Sequence, residues 1–208
     1  PMFQQRYKDT IPYWRITGDG KLYKWETWVP QEIPNDYAGQ INDVMIRSDA
    51  LEAQGWPIPR SADELVEFLK KAVDSGLTDI NGDPCIGLVV PFAEPWGLAG
   101  LSGVLYEKSD KHVAVGNEGF LYNIKDNVFE DYFKSPYVKE SLKFFNDLYQ
   151  LGLLDEESFT DTSDKVSEKI AKAAPIAVWY TDWLINNRKL EELGYPQYEY
   201  IEMPIQSN

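Results

Sequence analysis

The sequence predicts an α/β fold in which a central β-sheet is flanked by helices. Short apolar runs typical of buried strands, CIGLVV at residues 85–90 and PIAVWY at 175–180, occur between amphipathic segments that carry helix-capping residues. A chain that alternates strands and helices returns by crossover connections, so we expect parallel strands. At 208 residues the chain is long enough to bury a sizeable core.

The first elements are short. Residues 1–40 are rich in proline and glycine, and within them DGKLYKW predicts one strand over residues 21–25. The run NDVMIR predicts a second strand over residues 42–47. A short helix, DALEAQ, follows it, and Gly55 is placed to end that helix.

Capping signals define two longer helices. In SADE, Ser61 can accept a hydrogen bond from the amide of Glu64, which predicts the start of a helix there. SPYVKESLKFFNDLYQLG begins with Ser135 as its cap and Pro136 at the first helical position. We expect the buried face of this second helix to contain Val138, Leu142, Phe145 and Tyr149.

The alternation continues to the end of the chain. A shorter helix is predicted over residues 164–173, and the strand PIAVWY follows it directly. A further helix, from Asp182 to about Leu193, leads into a last strand, YEYIEM, at residues 198–203.

Composition excludes several classes of partner. The chain has 34 acidic and 20 basic residues and a net charge of −14. Nucleic acids and anionic membrane surfaces bind clustered Lys and Arg, so we expect neither as a partner. No apolar run approaches the ~20 residues of a membrane span, and PMFQQRYKDTIPYW lacks the features of a signal peptide. The abrupt ends of the sequence lead us to expect a piece of a longer protein.

Candidate catalytic groups are scarce. Cys85 is the only cysteine and His112 the only histidine, so a Cys–His nucleophile and a His/Cys metal site fit poorly. We interpret Cys85 as a small buried residue. No G-x-S-x-G, P-loop or G-x-G-x-x-G motif occurs. We therefore expect a protein that is not an enzyme and that needs no cofactor or metal ion.

Aromatic residues are unusually frequent, since 7 Trp, 13 Tyr and 9 Phe make up 14% of the chain. Two aromatic clusters, AEPW and WYTDW, directly follow predicted strands, and ligands of α/β sheets bind at the carboxyl ends of strands. A ring there can stack on a sugar while a neighbouring carboxylate accepts hydrogen bonds from its hydroxyls. The predicted ligand-binding residues are Glu94, Trp96, Trp179, Tyr180, Asp182, Trp183 and, in the segment KWETW, Trp28.

Alternatives stay open for these clusters. Trp179 continues an apolar strand and Trp28 lies in a strand-like run, so each fits a core as well as a cleft. Glu94 and Asp182, each beside a Trp, also suit a glycoside hydrolase, which needs two carboxylates across a cleft. Binding demands less of the geometry than catalysis does, so we favour carbohydrate binding. Aromatic rings with carboxylates would also suit a cationic ligand or a peptide.

The order of the motifs resembles a known family, the extracellular solute-binding proteins of bacterial ABC importers, and among them the maltose-binding type and the lipoprotein-type carbohydrate binders. DGKLYKW is similar to a strand that crosses between the two lobes of those proteins. VMIRSDALEAQGWPIPRSADELVEFLKK, SPYVKESLKFFNDLYQLGLLDEE and AKAAPIAVWYTDWL resemble further segments of the family, in the same order. The resemblance covers nearly the whole chain.

This resemblance implies one lobe of a two-lobed, periplasmic-binding-protein-like receptor that closes on a solute and delivers it to a membrane permease. Residues 1–40 would form the interlobe crossing and a remnant of the first lobe. Residues 41–195 would form the α/β domain of the second lobe, and residues 196–208 the returning strand.

The resemblance also assigns roles to site residues. The sugar-stacking rings of the family correspond to Trp96 and Trp183, with Glu94 as a hydroxyl acceptor. In WYTDW, Tyr180 and Asp182 replace residues that are usually small, which indicates a ligand of different shape. The family implies a monomer that works in the periplasm or on the extracellular face of the membrane, with ABC permease subunits as partners. Its signal or lipoprotein anchor would lie outside this sequence.

Overall fold

A computed structural model of the chain describes Asp19, Lys21 and residues 44–205, apart from residues 109–111, 116–118, 124, 180–183 and 204. The chain divides into two units, Pro1–Tyr37 and Ala38–Asn208. All the described residues except Asp19 and Lys21 belong to the second unit.

The described residues form seven short strands and six α-helices, which confirms the predicted mixture of strands and helices. The strands are β1 (Val44–Arg47), β2 (Ile86–Val89), β3 (His112–Val115), β4 (Phe120–Asn123), β5 (Val128–Asp131), β6 (Pro175–Trp179) and β7 (Tyr200–Met203). The helices are α1 (Ser48–Ala53), α2 (Ala62–Asp74), α3 (Leu98–Lys108), α4 (Pro136–Gln150), α5 (Ser163–Ala171) and α6 (Asn187–Glu192). None of these helices is long and apolar enough to cross a membrane.

Four strands form a mixed central sheet in the order β2–β6–β1–β7. β2 and β6 are parallel, as predicted, but β1 is antiparallel to both β6 and β7, so the prediction of a parallel sheet is wrong for β1. The connection from β1 to β2 contains two helices, α1 and α2, and the chain re-enters the sheet at the same end at which β1 leaves it. β2 therefore runs opposite to β1.

The strand directions distinguish two edges of this sheet. At one edge β2, β6 and β7 end and β1 begins, because Val44 pairs with both Trp179 and Met203. We call this the carboxyl edge, after the ends of β2 and β6. At the opposite edge β1 ends and β7 begins, where Arg47 pairs with Tyr200.

Helices cover both faces of the sheet. All five residues of β6 are buried, and the strand contributes side chains to two apolar clusters. Ala177 and Trp179 belong to the larger cluster, which includes side chains of α2, α3 and α4. Val178 belongs to the second cluster, with Val166 of α5 and Leu190 of α6. A strand buried on both faces is hydrophobic throughout, which is why PIAVW was recognisable as a strand.

The capping predictions hold at the two long helices. Ser61 Oγ accepts a hydrogen bond from the amide of Glu64 at 3.2 Å, and the Glu64 carboxylate accepts one from the amide of Arg60 at 2.7 Å. Ser135 Oγ accepts from the amide of Tyr137 at 3.3 Å. These bonds satisfy amides that a helix cannot pair internally at its start.

The buried face of α4 differs in part from the predicted one. Val138 and Phe145 are buried as expected, but Leu142 and Tyr149 are 50% and 41% exposed. Ser141 and Leu148 take their places, which rotates the buried face by about one residue. Ser141 is fully buried, and its hydroxyl donates to the carbonyl oxygen of Tyr137 at 2.9 Å, which satisfies it within the helix.

Two parts of the fold, a three-stranded sheet and the start of a helix, were not predicted as they occur. β3, β4 and β5 form an antiparallel three-stranded sheet that the sequence analysis missed. Its buried Leu121 packs with Leu105, Tyr132 and Val138 in a small cluster. The last described helix, α6, begins at Asn187 rather than at Asp182, because Asn186 caps it by accepting from the amide of Lys189 at 3.0 Å.

A buried charge holds the opposite edge together. The fully buried guanidinium of Arg47 donates to both oxygens of Asp49, with Nε–Oδ1 at 2.9 Å and Nη2–Oδ2 at 2.6 Å. It also donates to the carbonyls of Thr78 at 3.1 Å and Ala173 at 2.5 Å, and lies 4.4 Å from the centre of the Tyr198 ring. Thr78 and Ala173 belong to the segments that lead into β2 and β6, so one cation joins three parts of the chain.

We expect Asp49→Ala to lower the free energy of unfolding by about 3 kcal/mol or more, because it leaves the buried Arg47 without its carboxylate. Urea denaturation measures this change. Lys143→Ala is the control, since it breaks an ion pair with Asp147 whose side chains are 72% and 51% exposed, and such pairs contribute less than about 1 kcal/mol. Equal losses in the two variants would contradict the assignment.

Candidate ligand-binding edge of the sheet

The two predicted aromatic clusters follow neighbouring strands. β2 and β6 pair in parallel, with Leu88 opposite Ala177 and Val89 opposite Val178, so they end side by side at the carboxyl edge. The segments that leave these ends are residues 90–97, which are described, and residues 180–183, which are not. This is the part of a sheet at which α/β proteins bind their ligands.

Four of the predicted site residues lie outside the described part of the chain. They are Trp28, Tyr180, Asp182 and Trp183. The assignments of these residues therefore stay predictions. The structure places the other three, which are Glu94, Trp96 and Trp179.

Trp96 lies half-buried in a compact turn between β2 and α3. Within this turn the amide of Gly97 donates to the carbonyl of Glu94 at 2.8 Å, and the amide of Glu94 donates to that of Pro91 at 3.2 Å. A side chain at Gly97 would place its Cβ 2.5 Å from the carbonyl oxygen of Phe92, so only glycine fits there. The turn therefore presents Trp96 at a defined place beside the carboxyl edge.

A second segment supports the turn from outside. The amide of Phe92 donates to the carbonyl of Ser158 at 3.1 Å, and that of Ala93 donates to the carbonyl of Asp161 at 3.1 Å. The hydroxyl of Ser158 also accepts from the amide of Val90 at 3.2 Å. These bonds tie residues 158–161, which precede α5, to the first residues after β2.

Lys169 holds that supporting segment in place. Its ammonium group bridges three carboxylates, with Asp155 and Asp161 each at 2.6 Å and Glu157 at 2.9 Å. Burial works against the charge on Lys169, but its hydrogen bonds to the carboxylates outweigh this effect and raise the pKa of Lys169. This cluster was not predicted, although the sequence contains its signals: the acidic run DEE at residues 155–157 and a lysine, Lys169, in the helix predicted over residues 164–173.

Glu94 caps a helix that is distant in sequence. Its carboxylate oxygen accepts from the amide of Ser163, the first residue of α5, at 2.6 Å across a separation of 69 residues. The N-cap residue of α5, Thr162, makes no side-chain capping bond of its own. Hydrogen bonds from the amide of Ser163, and then from its hydroxyl, lower the pKa of Glu94. An anion at a helix N-terminus is also favoured by the helix dipole.

This environment disfavours Glu94 as the general acid of a glycosidase, whereas the second carboxylate of such an enzyme acts in its ionised form as nucleophile or base. A general acid in a glycosidase needs a raised pKa so that it keeps its proton until the glycosidic oxygen requires it. Glu94 has a lowered pKa and is held in the ionised form. As an ionised carboxylate it can accept hydrogen bonds from hydroxyl groups but cannot donate one.

Trp179 belongs to the core. It is 0% exposed, with its ring centre 5.5 Å and 5.3 Å from those of Phe144 and Phe145, so the prediction that it lines a ligand cleft is wrong. The reason is its position, because the last residue of β6 points to the same face as Ala177 and packs under α3 and α4. Within the described residues its Nε1 has no hydrogen-bond partner, which costs about 1–3 kcal/mol for a buried donor.

The structure offers little for metal or thiol chemistry. Within the described residues no group of three or more His, Cys, Asp and Glu side chains could hold a metal ion. Cys85 is half-buried and its Sγ accepts from the Arg47 guanidinium, while burial raises the pKa of its thiol. A thiol with a raised pKa is a poor nucleophile, in keeping with the interpretation of Cys85 as a packing residue.

Several solved structures share the fold of this chain. An extracellular solute-binding protein from Bifidobacterium longum subsp. infantis aligns with a TM-score of 0.66 and 19% identity over 99% of this chain and 40% of that one. An alginate-binding protein aligns with a TM-score of 0.60 and 16% identity over 100% and 40%. FusA of S. pneumoniae, an ABC-transporter substrate-binding protein in complex with kestose, aligns with a TM-score of 0.58 and 18% identity over 99% and 40%.

These comparisons confirm the predicted fold class, an α/β fold of the periplasmic-binding-protein type. The three structures described above are solute-, alginate- or substrate-binding proteins, and one of them was solved with kestose. The chain spans 40% of the length of each of the three described above. Neither a protein-family model nor a curated protein matches the sequence.

We expect the contribution of Glu94 to stability to depend on pH. Because its pKa is lowered in the folded chain, its carboxylate stabilises the fold above its usual pKa of 4.5, and this contribution is lost as the pH falls through the lowered folded value. Glu94→Gln removes the charge but keeps an acceptor oxygen. Its Tm should lie below that of the parent near neutral pH, and the two should converge as the pH falls through the lowered pKa of Glu94.

Thermal unfolding followed by circular dichroism measures both curves. Thr162→Ala is the matched control, because Thr162 is the N-cap residue of the same helix but makes no capping bond. This control should keep the pH dependence of the parent. A Tm difference between Glu94→Gln and the parent that stays constant across the pH range would refute the capping role.

Proposed function

We propose that this chain forms one lobe of the solute-binding component of an ABC importer, and that it captures an extracellular oligosaccharide for uptake. One observation carries the proposal. The turn with Trp96 and the end of β6 lie at the same edge of the sheet at which the chain enters β1 and leaves β7. In a two-lobed receptor the crossings between lobes lie beside the ligand cleft, so both features are expected at one edge.

The residues of the carboxyl edge suit a neutral, hydroxyl-rich ligand. Trp96 and, in the predicted second turn, Trp183 would stack on the apolar faces of sugar rings. Glu94 and Asp182 would accept hydrogen bonds from hydroxyl groups, which is favourable because an ionised carboxylate is a strong acceptor. Tyr180 and Trp28 are proposed to complete the aromatic lining. Trp179 is not proposed as a contact, since it is buried.

A binding role fits better than catalysis. The structures that share this fold are described as solute-binding or transport proteins, among them one from Bacillus licheniformis in complex with stachyose. The capped and ionised state of Glu94 supports the same view, because it suits recognition rather than proton donation. Release of reducing sugar from chromogenic glycosides by the complete protein would contradict this part of the proposal.

The remaining assignments follow from the proposed family role. Residues 1–40 and 196–208 would carry the crossings to the other lobe, and residues 41–195 would form the lobe itself. The protein would act as a monomer outside the cell membrane, lipid-anchored or in the periplasm, and would deliver its solute to permease subunits.

We expect Trp96→Ala and Trp183→Ala each to weaken oligosaccharide binding by the complete protein at least about tenfold, because removal of a stacking ring loses ~1.5 kcal/mol. Isothermal titration calorimetry with a panel of neutral oligosaccharides measures the affinities. A cationic peptide in the same panel distinguishes the sugar from the alternative ligand class.

Tyr195→Ala is the matched control for ring removal. Tyr195 stacks on Tyr198, which lies over Arg47 at the opposite edge of the sheet, so this variant should lose stability but keep its affinity. If both tryptophan variants bind as tightly as the parent, the site is wrongly placed. If the parent binds none of the oligosaccharides, the proposed function fails.

A further inference from the structure

One face of α3 and of the turn before it consists of glycines three residues apart. They are Gly97, Gly100 and Gly103. A Cβ at each would lie within 3.0 Å of a neighbouring atom, namely the Phe92 carbonyl oxygen, Val90 Cγ1 and Trp179 Nε1. The turn and the helix therefore lie so close to their neighbours that a side chain at Gly97 or Gly103 would force a backbone or the indole to shift.

The contact between Gly103 and Trp179 is the least able to adjust. A Cβ at Gly103 would lie 2.6 Å from Nε1, 2.7 Å from Cζ2 and 2.9 Å from Cε2, all atoms of one rigid indole. Phe144 and Phe145 pack against the same ring, so it has little room to move. By contrast, Gly100 faces the end of a valine side chain, which can rotate.

Among the described residues Nε1 of Trp179 has no hydrogen-bond partner, and the close approach of α3 explains why. The indole N–H is fully buried, and α3 passes close to it at Gly103, where there is no side chain. A polar partner for the N–H at this point would need the space that the helix backbone takes. The position of α3 and the unsatisfied donor are therefore two results of one packing arrangement.

This arrangement determines where Trp96 lies. α3 begins at Leu98, so a shift of the helix at Gly103 would carry to its first turn and to Trp96. On its other side the turn is held by Glu94, which is bonded to Ser163. Trp96 thus lies between two anchors, one on α3 and one on α5.

We infer that Gly103 and Trp179 are positioning residues for the proposed ligand site, and that they set the place of Trp96 through the distance between α3 and β6. This inference rests on the proposed function. Trp179 then acts on binding from the core, without touching the ligand. The effect of a side chain at position 103 on binding depends on Trp179, because all three atoms nearest to the added Cβ belong to that indole.

The test is a double-mutant cycle on oligosaccharide affinity in the complete protein. We expect Gly103→Ala to weaken binding about tenfold, because overpacking displaces the helix backbone. Trp179→Phe replaces the indole with a smaller ring that lacks Cζ2 and the outer atoms beyond it, which gives space to the new methyl group. The double variant Gly103→Ala/Trp179→Phe should therefore recover most of the affinity lost in Gly103→Ala, which a general loss of stability would not produce.

Gly76→Ala provides the control for stability. Gly76 follows α2, has a φ of +75° and has nothing within 4 Å of an added Cβ, so the variant is strained without contacting the carboxyl edge. It should lower Tm and leave the affinity unchanged. Parent-like binding by Gly103→Ala, or a failure of Trp179→Phe to restore it, would overturn the inference while leaving the proposed function intact. If the parent protein binds no oligosaccharide, both the inference and the proposed function are refuted.

Discussion

The fold depends on the placement of β6 between β2 and β1. All five residues of β6 are buried, and they pair in parallel with β2 and antiparallel with β1. A one-residue slip in either register would exchange the residues that face the two apolar clusters, which would place Val178 where Trp179 packs. Because that exchange is so unfavourable, the register is strongly specified. It brings the end of β2, the end of β6 and the start of β1 to one edge, beside which the turn with Trp96 lies.

Local signals in the sequence were sufficient to predict where the helices begin, but not which of their faces are buried. Ser61 and Ser135 each accept a hydrogen bond from an amide two or three residues later in the chain, so the helix starts could be predicted from short motifs. The buried face of α4 depends on core residues from other parts of the sequence, and for this reason Leu142 was predicted to be buried, whereas Ser141 is buried instead. The three-stranded sheet was missed for a related reason. Val128 and Phe129 are exposed, so β5 lacks the alternation by which a half-buried strand is recognised.

Trp179 shows why the sequence alone did not predict every residue of the candidate site correctly. An aromatic residue at the end of an apolar strand fits both a core and a cleft, and nothing within the segment WYTDW distinguishes them. The distinguishing residue is Gly103, which is 76 positions earlier and leaves space for the indole beneath α3. The edge itself was predictable, because strand ends can be read from the sequence and ligands of α/β sheets bind beside them. The role of each residue at that edge was not, because it depends on contacts between distant segments.

Glu94 illustrates how such a distant contact bears on ligand recognition. The same carboxylate that was expected to meet a ligand is bonded to the first amide of α5, and this bond both fixes the turn and keeps the group ionised. Binding then requires less ordering of the turn, because its conformation is already held from α5, and a site ordered in advance loses less entropy when a ligand arrives. A glycosidase acid would need the opposite environment, in which burial keeps the proton on the carboxyl group. The capping bond therefore suits a carboxylate that accepts hydrogen bonds and not one that donates a proton, and this follows from its contacts independently of any likeness to other proteins.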